Sequence, residues 1–225
     1  GQTYLIAGGE DHKTGHEENA LQCFRRLEAH VRTYFDVDEI AYQWSSQYYV
    51  PVDGLPYIGH LPGNAKNIYT ATGFSGNGMI FGSLSAMILC DHILGTENKY
   101  AALFSPSRVK PVAGFSQFVK EAADVVGHLV GDKFAATKIE EFAELAAGEA
   151  KLVKLSGHSL ALYKDEDNNL HAVNAACTHI KCTVCWNNAE KSWDCPCHGS
   201  RFSYDGEMLT APARRDLKKI SLEKL

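Results

Sequence analysis

The sequence lacks a hydrophobic run long enough to cross a membrane. Its longest apolar stretch, residues 79–90, is interrupted by Gly82, Ser83 and Ser85, whereas a spanning helix needs ~20 apolar residues. No signal peptide is visible at the amino terminus. We therefore expect no membrane segment in this sequence, and a cytoplasmic protein is the default expectation.

An excess of basic residues is also missing. The formal net charge is −5, whereas binding to nucleic acid needs a basic surface that neutralises phosphates. Nucleic acid is therefore not an expected partner. With 45% hydrophobic and 22% charged residues in 225, the composition is that of a soluble globular protein with one or two domains.

Cysteine is abundant only locally. Five of the seven cysteines lie between residues 177 and 197, which indicates a site rather than a disulfide scaffold spread over the chain. The other two, Cys23 and Cys90, fall in apolar segments and are expected to be inert core residues.

The cysteine-rich region contains two segments that each combine one cysteine with one histidine. Cys177 and His179 form the first pair, and Cys195 and His198 form the second, with fifteen residues between His179 and Cys195. Two thiolates and two imidazoles suit either a zinc ion or a [2Fe–2S] centre with two histidine ligands. Zinc fingers usually pair cysteines on one segment and histidines on the other. The mixed segments favour the iron–sulfur centre, and a zinc-stabilised structural domain is the alternative.

The spacing C-x-H, fifteen residues, C-x-x-H closely resembles that of the Rieske family. The resemblance implies a [2Fe–2S] cluster with Cys177 and Cys195 on one iron and His179 and His198 on the other. Such a cluster carries one electron. Its imidazole ligands raise the potential from ~−400 mV in all-cysteine plant-type centres to the range of ~−150 to +300 mV.

Two further cysteines extend this resemblance. Cys182 and Cys197 stand where Rieske proteins of cytochrome bc-type complexes carry a disulfide between the cluster loops. The alternative is a pair of reduced, buried thiols, which a cytosolic redox poise favours. Cys185 is a competing partner for Cys182, although a free thiol is expected there.

Hydrogen bonds to sulfur tune such clusters. In high-potential Rieske proteins, a serine and a tyrosine hydroxyl of the second loop point at sulfur. Ser200 matches the serine, but Phe202 stands at the tyrosine position. The resemblance thus implies that Ser200 tunes the cluster and that the potential is moderate.

The carboxyl-terminal part predicts a small all-β domain. Residues 152–155, 159–163 and 170–173 are short alternating strands separated by turns, and residues 217–222 are expected to close the sheet. We expect a Rieske domain over 142–225, built as a small antiparallel β-sandwich with two cluster-binding loops.

The amino-terminal part mixes helical and strand patterns, so its predicted class is α+β. Helices are predicted at 19–35 and 79–95, and strands at 3–9, 40–50 and 67–72. Because the sequence opens on an apolar strand, we expect a fragment. Four aromatic residues are expected in the sheet core, with a substrate pocket as the alternative: Tyr42, Trp44, Tyr48 and Tyr49.

A glycine-rich turn precedes the helix at 79–95. Such a turn puts backbone N–H groups and a positive dipole end at one point, which alone indicates weakly an anion- or carbonyl-binding corner. After the stretch Asp-Gly-Leu-Pro-Tyr-Ile-Gly at 53–59, this order resembles the carboxyl-terminal end of the FAD-binding fold in D-amino-acid-oxidase-like flavoproteins. The resemblance implies a flavin contact by seven residues: Gly73, Phe74, Ser75, Gly76, Asn77, Gly78 and Met79.

The G-x-G-x-x-G motif that holds the FAD pyrophosphate in such flavoproteins is missing. The resemblance covers about residues 1–110 and only the later half of the flavoprotein domain. We therefore expect a truncated chain that binds FAD poorly, with FAD bound by its full-length parent. A degenerate spacer is the alternative.

The predicted order is the carboxyl-terminal half of an FAD-dependent oxidoreductase domain at 1–112, a linker helix region at 113–141 and the Rieske domain at 142–225. The linker helix is predicted at 116–130. His128 within it has no partner pattern and is expected to be a half-exposed structural histidine.

Other Rieske functions fit poorly. An oxygenase needs a mononuclear iron site of two histidines and a carboxylate, and no histidine follows His198. A bc-complex subunit needs a membrane anchor. The resemblances imply a flavin-dependent, amine- or amino-acid-oxidase-like oxidoreductase that passes single electrons through its Rieske domain to or from a protein or small molecule. A stand-alone electron-transfer module with a vestigial flavoprotein half is the alternative. Catalytic residues, the substrate and the oligomeric state are not predicted.

Overall fold

A computed structural model describes residues 3–108, 115–131, 145–155 and 158–221. The chain divides into two compact units, one formed by Gly1–Ser45 with Ala123–Leu225 and the other by Ser46–Ala122. The predicted domain boundaries at 112/113 and 141/142 lie outside the described residues and stay predictions.

Four helices and nine strands are described. The helices are α1 (Ala20–Tyr34), α2 (Gly78–Leu94), α3 (Ala101–Phe104) and α4 (Phe115–Gly131). The strands are β1 (Tyr57–His60), β2 (Tyr69–Thr72), β3 (Ala150–Leu155), β4 (His158–Lys164), β5 (Leu170–Asn174), β6 (Cys185–Asn187), β7 (Ser192–Asp194), β8 (Arg201–Ser203) and β9 (Met208–Thr210).

Local signals explain where α1 and α2 begin and end. The side chain of Asn19 caps α1 by accepting a hydrogen bond from the N–H of Gln22. Gly95 ends α2 in the left-handed conformation, with a φ of 72°, which glycine adopts without a steric penalty. Both helices therefore match their predicted positions to within one residue at each end.

The unit Ser46–Ala122 is organised around one small core. β1 and β2 pair antiparallel, and Ile58 of β1 is buried with Ile88 of α2 and Phe104 of α3.

A buried ion pair holds the turn that leads into β1. Arg108 contacts both carboxylate oxygens of Asp53, at 2.7 and 2.8 Å, and also donates to backbone carbonyls of Leu55 and Pro56. Both side chains are buried, at 6% and 7% exposed, and the guanidinium stacks over the Tyr57 ring. The guanidinium of Arg108 thus holds the turn together through its hydrogen bonds to side-chain and backbone oxygens.

The carboxyl-terminal part of the other unit is all-β, as predicted. β3, β4 and β5 form one antiparallel sheet, and β6, β7, β8 and β9 form a second. Trp193 of β7 and Phe202 of β8 face each other and are fully buried. They share a core with Cys177 and Cys195, so each cysteine-bearing loop begins at a residue of the packed interior.

Several strand predictions were wrong. Residues 3–13 and 36–51 carry neither helix nor strand. A strand needs a hydrogen-bonded neighbour, which residue composition does not specify. Residues 217–222 contribute a single bridge, Val173 with Lys219, within their described part.

Predicted burial also failed at several positions. The aromatic side chains expected in a sheet core are exposed, by 70% at Tyr42 and 62% at Trp44, with Tyr48 and Tyr49 similar, because no described strand pairs with their segment. Cys23 is buried as expected, but Cys90 is exposed because it lies on the outer side of α2.

Among the described residues, no helix has the length and apolar composition that crossing a membrane requires.

Candidate metal centre and flavin segment

The first candidate loop joins β5 to β6 and begins at Cys177. The N–H of Cys177 donates to the carbonyl of Cys182 at 2.8 Å, and the N–H of Lys181 donates back to the carbonyl of Cys177 at 3.0 Å. Lys181 adopts a left-handed φ of 70°, which turns the chain back towards β6.

The second loop joins β7 to β8 and repeats this backbone pattern. The N–H of Cys195 donates to the carbonyl of Ser200 at 2.7 Å, the N–H of Gly199 donates to the carbonyl of Cys195 at 2.9 Å, and Gly199 has a φ of 74°. Two loops of like geometry thus present one cysteine each at their first position.

A disulfide between Cys182 and Cys197 joins the two loops. This is the pairing that the resemblance implied. Cys185 is partly buried and lies outside the disulfide, so it does not compete for Cys182.

The four expected ligand residues separate into an inner and an outer pair. Cys177 and Cys195 are 0% and 1% exposed, whereas His179 and His198 are exposed and lie with ring centroids 4.8 Å apart. A cluster held here would have its sulfur ligands in the core and its imidazole ligands at the surface.

The electrostatics of the two thiols suit a metal. The hydrogen bond from Cys195 is the main cause that lowers the pKa of Cys177 to about 6, and the same bond raises the pKa of Cys195. The first thiolate therefore forms easily, whereas a second one beside it needs a compensating positive charge such as a metal ion.

The imidazole of His198 is also suited to ligation. Its partial burial lowers its pKa, and the positive charges of His179 and Lys13 lower it further. The neutral form, which binds metals, is thereby favoured. Paired thiols, neighbouring imidazoles and a joining disulfide fit a cluster with two cysteine and two histidine ligands.

Ser200 lies beside this centre. It is fully buried, its hydroxyl oxygen accepts the N–H of Ala213 at 2.9 Å, and its hydrogen bond to Cys177 contributes to the lowered pKa of that thiol. The hydroxyl is therefore aimed at an expected ligand sulfur.

Sequence reasoning missed a polar network beneath the second loop. The buried carboxylate of Asp194 accepts hydrogen bonds from Ser192, Asn187 and Arg201, at 2.8, 3.0 and 3.0 Å. This network fixes the end of β7, from which Cys195 follows directly. The available signal was the charged residue Asp194 between two residues expected to be buried, Trp193 and Cys195.

A second contact that was missed comes from the amino-terminal segment. His16 lies with Nε2 3.2 Å from the carbonyl oxygen of Pro196. A Cβ on Gly15 would meet Pro196 at 2.8 Å from its nitrogen. No role is predicted for this segment from the sequence, yet it lies against the second candidate loop.

The expected flavin-contacting residues lie between β2 and the first turn of α2. Gly73, Ser75 and Gly76 have positive φ angles of 76°, 50° and 81°, so the chain turns sharply before the helix. Asn77 at the N-cap makes no side-chain cap; its amide donates to the carbonyl of Ser75 instead. The first N–H groups of α2 therefore donate no hydrogen bond to the N-cap side chain, which fits a polar or anionic acceptor there.

Two protein families match the chain on either side of its centre. The Rieske [2Fe-2S] domain family matches residues 135–221, and the FAD dependent oxidoreductase family matches residues 1–92. The chain joins a segment of an FAD-dependent oxidoreductase domain to a Rieske domain. The Rieske domain implies a [2Fe–2S] cluster, and the oxidoreductase segment implies FAD.

Named relatives share all or part of this sequence. The chain is 36% identical over 223 residues to YhfW of Bacillus subtilis (strain 168), named as a Rieske 2Fe-2S iron-sulfur protein, and covers 44% of that protein. It is 33% identical over 96 residues to cytochrome b6-f complex iron-sulfur subunit 1 of Synechocystis sp., covering 42% of this chain and 53% of the subunit. The match to YhfW covers almost the whole of this chain, but the chain spans less than half the length of YhfW.

A solved structure also resembles the Rieske part. The plasma membrane Rieske protein PetC3 from Synechocystis PCC 6803 is 32% identical, with a TM-score of 0.33; the match covers 36% of this chain and 82% of that one.

Proposed function

We propose that this Rieske domain exchanges single electrons with the FAD of the flavoprotein to which it is joined. Cys177, Cys195, His179 and His198 would hold the cluster. The observation that carries the proposal is the pair of like loops, which bring two thiols together in the core and two imidazoles together at the surface.

The surface position of the imidazoles supports a role in transfer rather than in structure alone. A bound cluster accepts and releases one electron at a time. Because His179 and His198 are exposed, a partner reaches that end of the site without any opening of the core. The buried cysteines and the apolar core around them keep water from the sulfur end.

The flavin end of the proposal rests on residues 73–79. The first turn of α2 offers backbone N–H groups and a positive dipole end, which stabilise negative charge on a reduced flavin ring. An amine or amino acid is the proposed two-electron donor to this flavin, and a one-electron carrier, protein or small molecule, is the proposed partner of the cluster.

The first experiment is metal analysis with absorption and EPR spectra, before and after reduction with dithionite. We expect two irons per chain and a rhombic EPR signal in the reduced state. A Cys177→Ser variant should lose both, whereas Cys185→Ser, which alters a cysteine outside the four ligands and the disulfide, should keep both. A colourless protein with stoichiometric zinc and no iron would overturn the proposal in favour of a structural domain.

The second experiment uses the whole protein, including the nucleotide-binding half that FAD requires. Anaerobic addition of an amine or amino-acid donor should bleach the flavin and then reduce the cluster. The Cys177→Ser variant should still bleach its flavin but should no longer reduce a cytochrome. A whole protein without flavin would instead support a stand-alone module with a vestigial flavoprotein half.

A further inference from the structure

Three potential ligand side chains meet outside the cluster loops. His16 lies in the segment before α1, and Asp124 and His128 lie one turn apart on the same face of α4. Nε2 of His16 is 3.5 Å from a carboxylate oxygen of Asp124, and Nε2 of His128 is 3.6 Å from the other. All three ligand atoms lie within 4.8 Å of one another.

We propose that His16, Asp124 and His128 bind a divalent first-row transition-metal ion such as Zn²⁺ or Fe²⁺. Two imidazole nitrogens and one carboxylate oxygen are a donor set that these ions accept, with metal–ligand distances of about 2.0–2.2 Å. Ligands at such distances lie roughly 3–3.5 Å from one another. The contacts of 3.5 and 3.6 Å to Asp124 are close to this range, and the widest separation, within 4.8 Å, would shorten by about 1 Å on binding.

The surroundings favour binding over a solvated charge cluster. The three side chains are only 25–33% exposed, and the two imidazole rings meet edge to face with centroids 4.9 Å apart. The sequence predicts a half-exposed structural histidine at position 128, and the ligand role proposed here goes beyond that prediction because His16 and Asp124 lie against it.

A cation already stands at this carboxylate. The ammonium group of Lys13 forms an ion pair with Asp124, through the oxygen nearest to His16. A divalent ion at the three ligands would displace this ammonium from the carboxylate. Lys13 therefore acts as an internal competitor, and its removal should strengthen metal binding.

The position links the proposed ion to the second cluster loop. Nε2 of His16, which would ligate the ion, lies 3.2 Å from the carbonyl oxygen of Pro196. It would give up this hydrogen bond on ligation, because the ligating nitrogen carries no proton. Pro196 lies between Cys195 and Cys197. An ion at this nitrogen is therefore a neighbour of the loop that carries two of the cysteines.

The proposal is tested by titrating the cluster-loaded chain with zinc and measuring the heat of binding by calorimetry. We expect one zinc site that weakens at least about 10-fold in His16→Ala and in His128→Ala, since even outer-shell changes cost 10–100-fold. Lys13→Met should bind zinc more tightly. His30→Ala, which removes an imidazole that stacks on Tyr34 instead, should bind like the native chain. Equal affinity in the native chain and both ligand variants would overturn the proposal.

The location is tested separately with a paramagnetic ion. Co²⁺ should speed the relaxation of the EPR signal of the reduced cluster, whereas diamagnetic Zn²⁺ should not, and His128→Ala should abolish the effect of Co²⁺. An unchanged signal under saturating Co²⁺ would overturn the placement beside the loop. If the chain holds no cluster, the proposed function fails. The difference in zinc affinity between the native and His128→Ala proteins still tests whether the proposed metal site exists.

Discussion

At the scale of single residues, the Ser200 hydroxyl connects the second loop to the segment that follows Pro212. It accepts the N–H of Ala213, which leaves its proton directed to Cys177. A donor to ligand sulfur stabilises the more negative, reduced state of a cluster and so raises its potential.

Replacing Ser200 with Ala should lower the midpoint potential of the cluster. A hydrogen bond to a charged group contributes about 1.5 kcal/mol, which corresponds to about 60 mV for one electron. A redox titration followed by absorption measures the shift. Ser203→Ala, which removes a hydroxyl that accepts from Glu207 instead, is the control. Equal midpoints for the native and Ser200→Ala proteins would remove the tuning role.

Arg108 is the second residue whose replacement should have a measurable effect, here on the free energy of unfolding. In Arg108→Met, the carboxylate of Asp53 stays buried without its cation, which should lower the free energy of unfolding by about 3–5 kcal/mol. Arg32→Met is the control, since Arg32 pairs with Glu28 on the exposed face of α1 and such pairs contribute less than about 1 kcal/mol. Urea unfolding monitors both variants, and equal losses would contradict the importance of the buried pair.

At the scale of elements, the segment before α1 acts as a support for the second cluster loop. Gly15 has a φ of 75°, and its Cα lies against the backbone of Pro196 and the carbonyl of Asp194. Only glycine satisfies both the angle and the close approach.

Gly15→Ala should therefore cost more than backbone strain alone. Gly148→Ala is the matched control, because Gly148 has a φ of 81° but faces the flexible carboxylate of Glu166. We expect a loss of about 1–2 kcal/mol for the control and a further 1–3 kcal/mol, approximately, for Gly15→Ala because of overpacking. Urea unfolding gives both values, and Gly15→Ala should also release iron faster on warming. Equal behaviour of the two variants would show that the segment does not support the loop.

At the scale of the whole molecule, His171 connects the two sheets of the Rieske domain. Its ring, on β5, hydrogen-bonds Asp165 before that strand at 3.0 Å and Asp205 between β8 and β9 at 2.7 Å. Burial lowers the pKa of His171, but these two carboxylates raise it more, so that it lies above its ordinary value. The pKa of Asp165 falls to about 2, chiefly because of the bond from His171.

Stability should accordingly depend on pH through this connection. The contribution of protonated His171 is complete below its unfolded pKa of about 6.5 and is lost as the pH rises through its higher folded value. The contribution of Asp165 is present above about pH 4 and is lost as the pH falls towards 2. The difference in unfolding free energy between native and His171→Gln proteins should thus peak near pH 5–6, approximately, and shrink on both sides.

Urea unfolding across this pH range measures the difference. In a background with Asp165→Asn and Asp205→Asn, the same substitution should have an effect that changes little with pH. A difference that is constant in the native background would contradict the proposed connection.

The whole molecule also shows which parts were predictable from the sequence. The Cys182–Cys197 pair was predicted correctly, and the four expected ligand residues were singled out, because their spacing is local and chemically distinctive. Local signals also mark the helices, since Asn19 starts α1 and Gly95 ends α2. The contact of His16 with Pro196 joins residues 180 positions apart, and no local sequence pattern near either residue predicts it. The strands expected at 3–9 and 40–50 failed for the same reason, because a strand depends on a neighbour that the local sequence does not name.

The Cys182–Cys197 bridge has a consequence for how the centre is filled. Without it, the second loop would have to reach a cluster already bound to the first, at an effective concentration that the relative motion of the two loops would set. Attachment of the second pair of ligands is intramolecular in either case, but the bridge holds that pair beside the first and thereby raises its effective concentration. We therefore expect a chain with this bridge to be loaded with a cluster more readily than one in which Cys182 and Cys197 are reduced.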